Sequence, residues 1–192
     1  LLAKINRAKE PYALSLERYL DTDIQINDVL LMSSSDFCVV TNDGISLLVP
    51  DKKGDYISKK IVNEPGTKSI LLASDQSLWL KSDYSGISKY DFHTGQLTKF
   101  THNPNSHGGL LSDLVNCFFE DFSGNIWIGH HGVGLSIYSL HKEGFNTIIY
   151  DPNENNTLST GTVMCFEKYG DEILIGTDGG PDGAFDSGMI MA

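Results

Sequence analysis

Apolar residues in this chain come in short runs, each bounded by Gly, Asn, Asp or Ser. The clearest case is Val115-Asn116-Cys117-Phe118-Phe119, which leads through Glu120-Asp121-Phe122-Ser123-Gly124-Asn125 into Ile126-Trp127-Ile128-Gly129. Runs this short, rich in β-branched and aromatic residues and closed by turn formers, read as strands. In the turn, Asp and Ser can bond the backbone and Gly124 can supply a positive φ. A third strand is expected over 134–139 and a fourth over 145–150, with 130–133 and 140–144 as the reversals. Asp151-Pro152-Asn153-Glu154 then carries the chain onward as a loop.

The unit repeats. Trp79 in Ser77-Leu78-Trp79-Leu80 lies 48 residues before Trp127, and Leu174 in Glu172-Ile173-Leu174-Ile175 lies 47 after it. Cys38 takes the same slot 41 residues before Trp79. The preceding strands correspond as well: Val115–Phe119 matches Val163-Met164-Cys165-Phe166-Glu167. Four short strands at a period of roughly 40–50 residues are the signature of a propeller blade. The expected fold is therefore all-β, a partial β-propeller of about three and a half blades, each blade having four antiparallel strands. Residues 26–66, 67–112 and 113–160 are read as blades and 161–192 as an incomplete one. In that last unit Pro181–Gly188 stands where a third strand is due, as an insertion or a chain end. Residues 1–25 are read as the end of a preceding blade and a connector, with one helical turn over Ser15–Leu20. A closed propeller typically needs 4–8 blades. The chain is accordingly expected to be a piece of a longer protein, in agreement with its start at Leu1 rather than Met.

Charge and cysteines narrow the picture. The formal net charge is −11, with Lys and Arg scattered, which disfavours nucleic acid as a partner. No apolar run approaches the length of a membrane span, so no membrane contact is expected within these residues. Three cysteines do not form a disulfide framework. Cys117 and Cys165 share one slot in successive repeats and read as small strand residues.

The residues Val115, Glu120-Asp121, Gly124-Asn125-Ile126-Trp127-Ile128-Gly129, Gly134-Leu135 and Tyr138 stand in a pattern that resembles the two-component regulator propeller repeat. Tyr150-Asp151-Pro152-Asn153 followed by Leu158-Ser159 looks like that family's link between blades. The resemblance covers roughly residues 26–180 and is strongest in the third unit. It implies the extracytoplasmic, periplasmic part of a membrane-bound sensor histidine kinase, often a hybrid two-component system, in which two propellers precede further domains. It also implies carbohydrate sensing and signalling as a homodimer. No kinase motif lies in this sequence, so the chain is expected to be input rather than output.

Trp79 and Trp127 invite a sugar-stacking role, but their repeated strand position reads as packing of one blade on the next. Gly124 and Gly129 are likewise read as structural. In a propeller the turn between strands two and three and the connector from strand four emerge on one face, where loops on a rigid scaffold carry function. That face is expected to present Asp83, Tyr84, His130, His131 and Asp178 from the turns. Asn103, His107 and Asn153 would come from the connectors. Adjacent His130-His131 lacks further residues at ligand spacing, so neither a metal nor any other cofactor is expected. Glu120-Asp121 lies at the opposite end of the blade, beside a turn, and is not read as an acid–base pair.

The leading expectation is a sensor input module that binds a small molecule or oligosaccharide without catalysis and packs against other blades and downstream domains. A propeller enzyme acting on glycans, a glycosidase or lyase, is the main alternative. Phe122 stands where the sialidase Asp-box wants Asp. An intracellular protein-interaction propeller is the third, although its Gly-His and Trp-Asp signatures are absent.

Overall fold

The computed structural model describes residues 2–6, 13–17, 25–33, 35–53, 55–105, 109–139, 142, 144–154, 157–179 and 187–190. Every regular element among them is a strand. The chain divides into two compact units, residues 1–68 and 69–192.

The first unit opens with β1 (Leu2–Asn6) and β2 (Ala13–Glu17), an antiparallel pair with Ala3 opposite Leu16. This corrects the helical turn expected from Ser15, because Ser15, Leu16 and Glu17 lie in β2. One isolated helical turn fixes three residues for a single hydrogen bond, whereas a hairpin partner bonds each residue in register. A full sheet follows: β3 (Ile26–Leu31), β4 (Phe37–Thr41), β5 (Gly44–Pro50) and β6 (Tyr56–Val62), hydrogen-bonded in chain order. Cys38, Val39, Val40, Ile45 and Leu48 are fully buried. The β4–β5 turn is tight because Thr41 Oγ1 donates to the Gly44 carbonyl and accepts from Asp43 N–H.

The second sheet is β7 (Thr67–Leu72), β8 (Ser77–Ser82), β9 (Ile87–Asp91) and β10 (Leu97–Phe100). The third is β11 (Val115–Glu120), β12 (Ile126–His130), β13 (Gly134–Ser139) and β14 (Gly144–Ile149). Both are up-and-down meanders of four strands, the blade the repeat called for. In the last sheet β15 (Val163–Tyr169) and β16 (Glu172–Thr177) are joined by β17 (Ser187–Ile190), which pairs antiparallel with β16. The third strand missing from the sequence pattern thus arrives late, after the run Pro181–Asp186, which lies outside the described residues.

The Trp slot is one structural position. Trp127 stands opposite Phe119 and Ile137, Cys38 opposite Leu30 and Leu47, and Leu174 opposite Glu167 and Met189. In the second unit the two indoles pack sheet on sheet. Trp79 stacks on Phe100 and meets Tyr138 of the next sheet edge-on, with ring centroids 5.7 and 5.0 Å apart. Trp127 meets Phe166 of the following sheet at 6.2 Å, within a core of Leu135, Leu158, Val163, Ile173 and Ile175. Burial of rings this large is the main attraction between neighbouring sheets.

First strands share a second device. The register slips by one residue between Ile26 and Asp28, between Val115 and Cys117, and between Val163 and Cys165, a bulge at one repeat position. The extra residue is Asn27 in β3 and Asn116 in β11. Each donates its amide to the carbonyl that opens the next first strand: Asn27 Nδ2 to Thr67 O at 2.8 Å, and Asn116 Nδ2 to Val163 O at 3.1 Å.

Candidate functional site

The two ends of the sheets differ in how their polar groups are used. At the end holding the β11–β12 turn, Asp121 is the hub. Its carboxylate accepts from Ser123 N–H, Asn125 N–H, Asn125 Nδ2 and Trp127 Nε1, all between 2.8 and 2.9 Å. Burial works against its charge, but these hydrogen bonds outweigh it and hold the carboxyl below its usual range. Glu120 turns away and bonds Ser74 of the neighbouring sheet, at N–H and at Oγ, the N–H bond being 2.8 Å. The acidic pair therefore builds a turn and a joint between sheets.

The opposite end carries a groove of about 490 Å³ lined by Lys81, Asp83, Tyr84, Leu114, Val115, Asn116, His131 and Met164, a size ordinary for a small-ligand site. Three sheets build it. The second gives Lys81 from the end of β8 and Asp83-Tyr84 from the turn after it. The third gives Leu114–Asn116 where β11 begins and His131 just beyond β12. The fourth gives Met164. The turn is fixed by Gly86, whose N–H donates to Asp113 O at 3.1 Å. Gly86 has φ +72°, and a Cβ there would lie 2.3 Å from the Phe100 carbonyl. His131 N–H donates to Leu114 O at 3.0 Å and ties the two rims. Tyr84 is 80% exposed and Met164 52%, so the groove offers an aromatic face and an apolar edge to solvent. Lys81 Nζ donates to Val115 O at 3.2 Å and lies 3.7 Å from Asp83 Oδ1.

The expected site residues divide. Asp83, Tyr84 and His131 converge on this groove. His130 does not, and its expected place on a solvent-facing turn is corrected. It is the last residue of β12 and is fully buried, with Nε2 2.9 Å from Ser136 Oγ. β12 is buried along its whole length, so its last residue is enclosed, whereas His131 lies just beyond the strand and is exposed. Burial depresses the His130 pKa to about 4, against the opposing influence of the Leu114 carbonyl and the Asp113 charge. Asp178 Oδ1 accepts from Thr160 Oγ1 at 2.7 Å. The side chain of Asn103 accepts from Asn105 N–H, and Asn153 N–H and Nδ2 donate to Asp151; these two asparagines shape connectors. His107 lies outside the described residues.

The sequence reading missed Lys81, Leu114, Val115, Asn116 and Met164. A signal was present for Asn116: the recurrence of Asn at the second position of a first strand, as in Asn27. Lys81 and Leu114 carried no signal, because they border the loops rather than sit in them. A hollow of about 440 Å³ at the other end holds Asp75, Lys89, Asp91 and Phe92. Its charges are matched internally, with Lys89 Nζ 2.9 Å from Asp75 and Asp91 capping His93 and Thr94 N–H. Among the described residues no three His, Cys, Asp or Glu side chains are grouped as metal ligands.

These observations define the chain as part of a β-propeller with an open groove at one end of three adjacent blades. Its residues 109–132 match the model of the two component regulator propeller family, and that stretch supplies Leu114, Val115, Asn116 and His131 to the groove. No curated protein matches the sequence. Among solved structures, the extracellular domain of a hybrid two component system from B. thetaiotaomicron is similar with TM-score 0.61 at 17% identity, over 87% of this chain and 24% of that one. A second such domain from the same organism gives TM-score 0.51 at 12% identity, over 87% and 30%. Virginiamycin B lyase from Staphylococcus aureus gives TM-score 0.50 at 15% identity, over 88% and 57%. At such identities the likeness shows the fold alone. This chain spans between 24% and 30% of the length of those two sensor domains.

Proposed function

We propose that this chain is a ligand-binding part of the extracytoplasmic propeller region of a two-component sensor, and that the groove at Tyr84 takes a carbohydrate. The supporting observation is the convergence of Asp83, Tyr84 and His131 with Asn116 on one open groove. An exposed phenol ring can stack on a sugar face, while Asp83, His131 and Asn116 offer donors and acceptors to hydroxyls. In this reading the chain performs no chemistry. Occupancy is passed on through packing against further blades and domains, in a protein that signals as a homodimer.

The test is calorimetric titration with a panel of plant and host oligosaccharides, with product analysis on the same samples. Binding without turnover is expected. Tyr84→Ala should weaken it by about tenfold or more, as loss of a stacking aromatic does at a hot spot. The lyase reading draws on the fold likeness reported above, and cleavage or elimination of a glycan would replace the sensor reading with it. A panel with no binder would end the carbohydrate assignment.

A further inference from the structure

We infer that Lys81 couples the groove to the packing of the sheets around it, acting as a positioning residue shared between a ligand-facing carboxylate and a joint between blades. The consequence for signalling rests on the groove being a ligand site, but the test does not.

Three first strands are gripped at the same place. Thr67, Val115 and Val163 each open a first strand, and each carbonyl accepts a hydrogen bond from a side chain of the preceding sheet. At Thr67 and Val163 the donor is the bulge asparagine, Asn27 or Asn116. In the second blade's sequence that position is Lys68. The donor to Val115 O comes from elsewhere, from Lys81 on β8 at 3.2 Å. An ammonium thus stands in for a neutral amide at this joint.

The substitution has a physical consequence. A carboxamide carries no net charge, so nothing in the groove competes for it by Coulomb attraction. Lys81 has three donors and a charge on a long stem. Its ammonium is 3.7 Å from Asp83 Oδ1, and both residues line the groove. Asp83 and Val115 O therefore share one cation. A ligand hydroxyl that donates to Asp83 weakens the carboxylate's pull and leaves more of the ammonium to Val115. The next residue is Asn116, which grips Val163 O of the fourth sheet. The path Asp83–Lys81–Val115–Asn116–Val163 crosses three sheets with one contact per step.

Hydrogen exchange at the Val115–Cys117 amides, measured on the unliganded full chain, tests this. Lys81→Met should speed exchange by on the order of fivefold, the worth of one hydrogen bond from a part-buried ammonium. Lys81→Arg retains a donor and should stay within about twofold of the native rate. Asp83→Asn should slow exchange, by about twofold, since the competitor for the ammonium is gone. The same Asp83→Asn change made on top of Lys81→Met should do nothing. Unchanged exchange in Lys81→Met overturns the grip, and an equal effect of Asp83→Asn with and without Lys81 overturns the sharing. No sugar enters the experiment, so failure of the carbohydrate reading leaves its outcome intact.

Discussion

Acidification from pH 7 to pH 5 should destabilise the third sheet through one side chain, His130. Its ring is fully buried under the groove's rim, and its Nδ1 has no hydrogen-bond partner among the described residues. Nε2 meets Ser136 Oγ, which also accepts Leu111 N–H at 3.1 Å. Burial lowers its pKa from 6.5 to about 4. The unfolded chain therefore binds a proton between those values that the folded chain refuses. Stability is intact above pH 6.5 and is lost as pH falls toward 4. The full effect is about 3 kcal/mol, of which roughly 2 kcal/mol appears between pH 7 and pH 5. Asp75, Asp91 and Asp121 have carboxyls held below their usual range, so their contributions vanish only in stronger acid, outside this window. Urea unfolding at half-unit steps from pH 7.5 to 4.5 reads the slope, and His130→Gln, which keeps a polar group near Ser136 but cannot titrate, should flatten it. Equal slopes in native and variant protein, or a His130 ring resonance titrating near pH 6.5, would refute the reasoning.

Two further predictions concern packing. A Cβ on Gly129 would lie 2.6 Å from Cys117 Sγ and 2.7 Å from Val163 Cγ1, whereas on Gly176 it would meet only Cys165 Sγ that closely. Cys165 is exposed and can swing away, so Gly129→Ala should cost about 2 kcal/mol more than Gly176→Ala in urea unfolding; equal costs would contradict the packing account. Trp79→Ala should destabilise by about 4 kcal/mol, since it empties a contact among Phe100, Tyr138 and Ile87. A loss below about 1 kcal/mol in the same assay would show that the indole does not join the two sheets.

The sheets were legible because a repeat multiplies weak signals. One Ile-Trp-Ile run is an ambiguous strand; the same slot filled by Cys38, Trp79, Trp127 and Leu174 at a near-constant interval fixes the register of the strands around it. Strand ends were less legible, and the error at His130 follows from that. A residue one step inside a strand is buried and one step outside is solvated, so a boundary placed one residue early turned a buried group into a surface one. The site was legible only where loops make it. Asp83, Tyr84 and His131 sit in turns and announce themselves by polarity. Leu114 is an apolar residue next to a strand and Met164 one inside β15, and in a single sequence both look like core. Lys81 looks like the solvated face of a strand, and its role depends on a carbonyl 34 residues away. The helical turn at Ser15 failed for a related reason: a local pattern cannot reveal a partner strand.

The contrast between the two ends of the sheets argues for the location of the site independently of any relative. At the end holding the β11–β12 turn, the carboxylates of Asp91 and Asp121 each accept two backbone N–H groups of their own turn, and Asp75 accepts Ser77 N–H, Ser77 Oγ and Lys89 Nζ. A carboxylate saturated in this way has little left to offer a ligand, and a ligand that took its hydrogen bonds would unmake the turn. At the groove end several side-chain contacts reach across sheets, as Glu120 to Ser74 does at the other: Lys81 to Val115, Asn116 to Val163, Gly132 N–H to Thr162 Oγ1 at 3.1 Å. A ligand that rearranges those contacts changes how one sheet sits on the next without undoing any turn. The turn carboxylates are committed to their own turns, whereas the groove opens onto contacts that join one sheet to the next.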